Sequence, residues 1–186
     1  MSVFDAHWDA IEEIAGKLSS ARPEVVHVIG SHWNYDAGTA VVDRIIALPQ
    51  CDGGTARAVF WGQLEANPDL HDFSPTGQLK ALRWVGVDHV ALVEKVGMLA
   101  ALGRYQSNTL SSDADDLVER IGLKARLTSS MDRAQDAAAL GWRLSDVLRY
   151  TGGRRVTADE FAVGELAFIR ETLQFCGSRV AEFSEA

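Results

Sequence analysis

Apolar side chains recur along this chain at intervals of three and four, the spacing that gathers them on one face of an α-helix. In the first run, "VFDAHWDAIEEIAGKL", Phe4, Trp8, Ile11, Ala15 and Leu18 share a face, and Glu12, Glu13 and Lys17 fall on the wet side. Ser2 is placed as the N-cap and Asp5 in the first turn, where an acid complements the positive helix end. Pro23 suits the first position of a second helix, "PEVVHVIGSHW", with Val25, Val26, Ile29 and Trp33 facing inward. After the turn "NYDAG" a third helix is expected over "TAVVDRIIAL", closed by Pro49. After "QCDGG" a fourth follows over "TARAVFWGQLEA", ending near Asn67 and Pro68.

Residues 67–77, "NPDLHDFSPTG", read as a loop, because two prolines and a glycine interrupt regular structure there. Between Gln78 and Leu102 two helices meeting near Gly86 are expected, with Gly97 and Gly103 interrupting or ending them. The valines of "RWVGVDHVALVEKVGML" also tolerate a strand. "GRYQSNTLSSD" is a second polar loop, Ser112 caps a helix through "DADDLVERIGL", and another helix runs from Ser130 to Arg149 and stops at Gly152-Gly153. The last helix has the strongest pattern. Thr157-x-x-Glu160 is a capping box, and Ala162, Leu166, Ile169, Leu173, Cys176 and Val180 step by four and three, with Phe161, Phe168 and Phe175 on a flank. The expected fold is all-α, a compact bundle of about seven to nine helices. It is read as one domain over 1–186, with an N-terminal subunit of about 1–66 and a C-terminal helical part of about 76–183.

Composition supports a buried core: 186 residues, 47% of them hydrophobic. Eighteen basic against 26 acidic side chains give a formal charge of −8. Nucleic acid is therefore not expected as a partner, since its binding rests on neutralising phosphates with Lys and Arg. A basic protein partner is compatible with that charge. Cys51 and Cys176 are the only cysteines, and no C-x-x-C exists, so buried thiols are expected rather than a zinc or redox site. The first sixteen residues resemble neither a signal nor a transit peptide, and no apolar run approaches the roughly 20 residues that span a bilayer. No membrane association is expected, and the cytoplasm is the expected location.

A short pattern occurs twice: Asp36-x-Gly38-Thr39-Ala40 returns as Asp52-x-Gly54-Thr55-Ala56, each copy ahead of an apolar helical run. The favoured reading is a helix-capping turn used twice. The alternative is a pair of helix starts converging on one anionic ligand.

Signatures of phosphate loops, serine hydrolases, zinc proteases and calcium loops are absent. His27 and His32 stand five apart, which turns the second ring about 140° from the first on one helix and excludes a shared metal. No metal and no cofactor is expected. His71, beside Asp72 in the proline loop, and His89 are the candidates for a general base, with Asp36 or Asp72 as the carboxylate. Of five tryptophans, Trp8 and Trp33 are placed inward, while Trp61 and Trp84 are placed at a boundary.

The run "VVHVIGSHWNYDAGTAVVDRIIALPQCDGGTARAVFWGQLEA" resembles a bacterial family known as domain of unknown function 4274. That family pairs a Leu-His segment and a Tyr-Asn-Trp-Asp-Asp-Gly turn with a later Pro-x-Cys-Asp-x-Gly-Thr-Ala. Here His27 matches the histidine, and Trp33-Asn34-Tyr35-Asp36-Ala37-Gly38 matches the turn with its aromatics exchanged and Ala37 replacing the second Asp. Pro49, Cys51, Asp52, Gly54, Thr55 and Ala56 match the second block. The resemblance covers about residues 23–66 and implies helical structure, with no activity attached to it.

Three functions remain open. The favoured one is a non-catalytic protein-binding domain, most concretely an immunity- or antitoxin-type protein covering a basic toxin. Its contact residues would be Asn34, Tyr35, Asp36, Asp52 and His71, because loops carry recognition more often than packed helices do. The alternatives are a small hydrolase using His71 or His89 with a carboxylate such as Asp72, and a ligand-binding adaptor module built on the two helix starts. The sequence leaves the oligomeric state open.

Overall fold

The computed structural model describes residues 3–67, 87–111 and 152–178, together with Trp142, Asp146, Val147, Arg149 and Phe183. Six α-helices lie within them: α1 (Val3–Ser19), α2 (Pro23–Ser31), α3 (Ala40–Ile45), α4 (Gly53–Ala66), α5 (Val87–Ala101) and α6 (Val163–Phe175). Two 3-10 turns, Tyr35–Ala37 and Ala158–Glu160, complete the regular structure. Among the described residues the only β-type pairing is one parallel bridge between Leu110 and Arg154, so the fold is all-α. Fewer helices are described than the seven to nine expected. The helix anticipated at 112–123, the one at 130–149 apart from Trp142, Asp146, Val147 and Arg149, and the proline loop from Pro68 on lie outside the described residues.

α4 is the hub. It packs against α2 on one side and α5 on the other, while α2 also meets α3 and α6, and α1 lies on α3. Central position explains α4's composition: eleven of its fourteen residues are buried, including Phe60, Trp61 and Leu64. A helix covered all round shows no amphipathic stripe. Trp61 is thus interior, at 1% exposure, and not at a boundary. Gly30 lets α2 approach α3 and α4 closely, since a β-carbon there would stand 3.2–3.4 Å from Thr55, Ile45 and Val59.

α1 corrects another expectation. Ile11, Ile14 and Leu18 are buried, yet Trp8 is 53% exposed. Position 7, also one helical step from Ile11, carries the exposed His7, which stacks on Phe175 of α6 with ring centroids 5.1 Å apart. Glu12, Glu13 and Lys17 are exposed as expected. α3 is shorter than its apolar run, ending at Ile45. Gly97 does not interrupt α5; a β-carbon there would stand 2.1 Å from the indole of Trp142, so the glycine makes room for that ring.

The Thr157-x-x-Glu160 box is present, with the Thr157 amide donating to Glu160 Oε1 at 3.0 Å, but it closes the 3-10 turn Ala158–Glu160 rather than the long helix. α6 starts at Val163, where Glu165 accepts from the Ala162 amide at 2.9 Å. Ile169, Leu173 and Cys176 are buried along its inner face. The two cysteines are free and buried, and burial pushes the Cys51 thiol well above its ordinary pKa.

Candidate functional site

Of the residues that carry the family resemblance, Asp36 and Pro49 are exposed, whereas His27, Asp52, Gly54 and Thr55 are buried. These four buried residues converge on a short segment, residues 107–111, which we call the strap. His27 projects from α2 at 2% exposure. Its Nε2 lies 3.0 Å from the Ser111 carbonyl and its Nδ1 lies 2.9 Å from the Thr55 hydroxyl. A carbonyl only accepts, so Nε2 carries the proton and Nδ1 accepts from Thr55. Both nitrogens of a neutral ring are then satisfied. Burial lowers the His27 pKa to about 4; the Ser111 bond and the Asp52 charge oppose that shift, and His32 and Arg154 reinforce it.

Asp52, 1% exposed, is the N-cap of α4. Its Oδ1 accepts from the Gly54 amide at 2.8 Å and faces the Leu110 amide at 3.4 Å. Its Oδ2 accepts from the Thr109 amide at 2.8 Å and the Thr109 hydroxyl at 3.2 Å. The Gly53 amide donates to the Ser107 carbonyl at 2.8 Å. The start of α4 is therefore filled from within the chain, by an aspartate and a peptide segment, which leaves no space there for the anion considered above. On its other side the strap is bonded to Arg154: Ser111 donates to the Arg154 carbonyl at 3.0 Å, and the Arg154 amide donates to the Thr109 carbonyl at 2.8 Å.

The first copy of the repeated pattern behaves differently. Asp36 is exposed. Asn34, not Asp36, supplies the side-chain acceptor, taking the Asp36 amide at 3.1 Å. Gly38 has φ +85°, a region glycine adopts readily. Trp33 Nε1 donates to its carbonyl at 2.8 Å and closes the turn. Thr39 stands at the start of α3 with no side-chain capping bond.

Tyr35 is not free to reach outward. It is 8% exposed, its hydroxyl donates to the Val59 carbonyl at 2.9 Å, and burial raises the pKa of its phenol. Of the expected contact residues, Asn34 is half-buried, Asp36 faces solvent, and Tyr35 and Asp52 are interior. His71 and Asp72 lie outside the described residues, as does Trp84. His89 is half-buried, and its Nδ1 accepts from the Gln63 amide at 2.8 Å. The partner described for His89 is thus an amide rather than a carboxylate. Among the described residues no three His, Cys, Asp or Glu side chains group in a way that could hold a metal ion. No helix there is long and apolar enough to cross a membrane.

Sequence reading missed the strap and the outer face of α1. That face presents Trp8 beside Asp5 and Glu12, with Asp9 and Glu13 further round the helix, all exposed. Glu12 pairs with Arg44 at 2.6 Å and Glu13 with Lys17 at 2.9 Å.

Fold and site together define a helical protein whose most patterned residues form an internal clamp. Residues 21–67 match the family model described as Domain of unknown function (DUF4274), the segment that supplies His27, Asp52, Gly54 and Thr55. No curated protein and no solved structure matches the chain.

Proposed function

We propose that this chain is a non-catalytic protein-binding domain, acting in the cytoplasm, with a basic protein as its partner. An immunity- or antitoxin-type protein that covers a toxin is the most concrete form of this reading. The observation that carries it is the outer face of α1. A tryptophan left 53% exposed keeps about half of its surface open to a partner, and tryptophan is among the residues that dominate binding energy at interfaces. The acids around it suit a basic surface, and the chain's net charge of −8 would speed such an encounter. His27 and Asp52 give this reading indirect support, because their hydrogen bonds are spent inside the molecule. Asp36, the solvent-facing member of the 33–38 turn, is a second candidate for contact.

The test is co-expression with the product of the adjacent open reading frame, followed by purification and a toxicity assay. A stoichiometric complex that protects the cell, and that Trp8→Ala weakens by at least tenfold without lowering the melting temperature, is the expected result. Absence of both complex and protection would overturn the reading.

A further inference from the structure

The strap is held in an unusual way for a loop. Its neighbours grip six of its main-chain groups: the carbonyls of Ser107, Thr109 and Ser111, and the amides of Thr109, Leu110 and Ser111. Only one of its side chains is fully buried, that of Leu110 at 1% exposure; Ser107 and Thr109 are exposed and Asn108 and Ser111 half-buried. Recognition thus rests on an extended backbone plus one apolar anchor, the pattern by which proteins take up extended peptides at a sheet edge.

The walls are shaped for a backbone. A β-carbon at Gly54 would stand 1.8 Å from the Leu110 carbonyl oxygen, and one at Gly153 would stand 2.7 Å from the same peptide group. Any side chain at either position would occupy the space the strap needs. One wall, with His27, Asp52, Gly53, Gly54 and Thr55, lies inside the family-matched residues 21–67, whereas the strap lies outside them. The matched segment therefore carries the receptor half of a contact whose other half comes from elsewhere in the chain.

We propose that the family-matched segment, with Arg154 opposite, is a binding slot for an extended peptide that has one apolar anchor residue. Residues 107–111 fill this slot as an intramolecular ligand, and the slot accepts the same peptide from outside when they are withdrawn. The proposal does not depend on the partner-binding reading, which concerns the outer face of α1.

The full chain carrying Thr109→Pro and Leu110→Gly removes the amide that Asp52 accepts and the buried anchor together. A fluorescein-labelled peptide of residues 105–113 is titrated against this variant and against the unmodified chain, with anisotropy as the readout. The slot predicts saturable binding to the double variant at least tenfold tighter than to the unmodified chain, whose slot is filled. It also predicts at least tenfold loss when the peptide carries Leu110→Asp. Equal binding to both proteins, no binding to a folded double variant, or indifference to Leu110→Asp overturns the proposal. Should the double variant fail to fold, amide exchange on the unmodified chain decides. Exchange of the Leu110 and Ser111 amides through an opening separate from global unfolding supports a removable ligand. Exchange only through global unfolding contradicts it.

Discussion

Two copies of one pattern, Asp36-x-Gly38-Thr39-Ala40 and Asp52-x-Gly54-Thr55-Ala56, sit sixteen residues apart and meet opposite fates. In the first, the aspartate faces water, the glycine turns the chain at φ +85° with open space around it, and a neighbouring asparagine supplies the cap. In the second, the aspartate is interior, the glycine is pressed against a peptide carbonyl, and the threonine hydroxyl serves a buried histidine. The four named residues are the same, and the residue between aspartate and glycine is Ala37 in one and Gly53 in the other. What also differs is that a second piece of chain, the strap, lies against one copy and not against the other. A turn's sequence establishes that a helix can begin there; what packs against the turn decides which atoms are used.

That contrast can be broken at each pair of positions. The largest effect is expected at the glycines. Gly54→Ala drives a β-carbon into the Leu110 carbonyl, a backbone-to-backbone clash that no rotamer relieves. We expect a loss of about 3 kcal/mol or more in urea unfolding, with loss of amide protection along the strap. Gly38→Ala meets no neighbouring atom, so its cost is the backbone conformation alone, about 1–3 kcal/mol at φ +85°, ψ −177°. A Gly54→Ala variant as stable as Gly38→Ala would show that the strap yields.

His27 sharpens the comparison through pH. Its folded-state pKa of about 4 lies below the ordinary imidazole value of 6.5, so the folded protein binds fewer protons than the unfolded chain across that interval. The stabilisation is complete above pH 6.5 and is lost as the pH falls toward 4, at about 1.4 kcal/mol per unit. Between pH 6.5 and 5 the expected decline is about 2 kcal/mol, and His27→Gln should flatten it. Below pH 5 the acids Glu160 and Glu165, whose pKa values are lowered by hydrogen bonds from the Thr157 amide and Arg22 respectively, add their own losses. A slope between pH 6.5 and 5 that survives His27→Gln would place the responsible proton elsewhere.

The smallest effect is expected at the surface. Arg22 bonds Glu165 through two nitrogens, at 2.7 and 2.9 Å, and draws the turn before α6 onto the start of α2. Both side chains remain partly exposed, at 46% and 28%. Arg22→Ala should therefore cost no more than about 1 kcal/mol and fade with added salt.

Periodicity made the inner face of α6 legible, since that helix has one buried stripe and one wet side. In α2 it found Val25, Val26 and Ile29 but not His27 and Val28, because residues 25–30 are all buried. It failed at Trp8 because positions 7 and 8 are both one helical step from Ile11. Sequence offers no way to know that Phe175 would take the His7 ring. It failed at Trp61 for a different reason: a hub helix buried on nearly every side has no stripe to read. The Asp52 cap was legible as a cap, but its second oxygen was not, because Thr109 and Leu110 are reached across more than fifty residues through their main chain. Main-chain contacts leave no mark on the sequence of the segment contacted. The one trace was on the receiving side, where glycine at position 54 permits the close approach.

The most direct test is equilibrium urea unfolding of Asp36→Ala and Asp52→Ala side by side. Asp36→Ala should lie within about 0.5 kcal/mol of the unmodified chain, as exposed substitutions usually do. Asp52→Ala removes a cap and leaves the amides of Gly54, Thr109 and Leu110 without their carboxylate acceptor, and should cost about 3 kcal/mol. Equal stabilities would mean that the second copy is no more than the decorated turn the first one is.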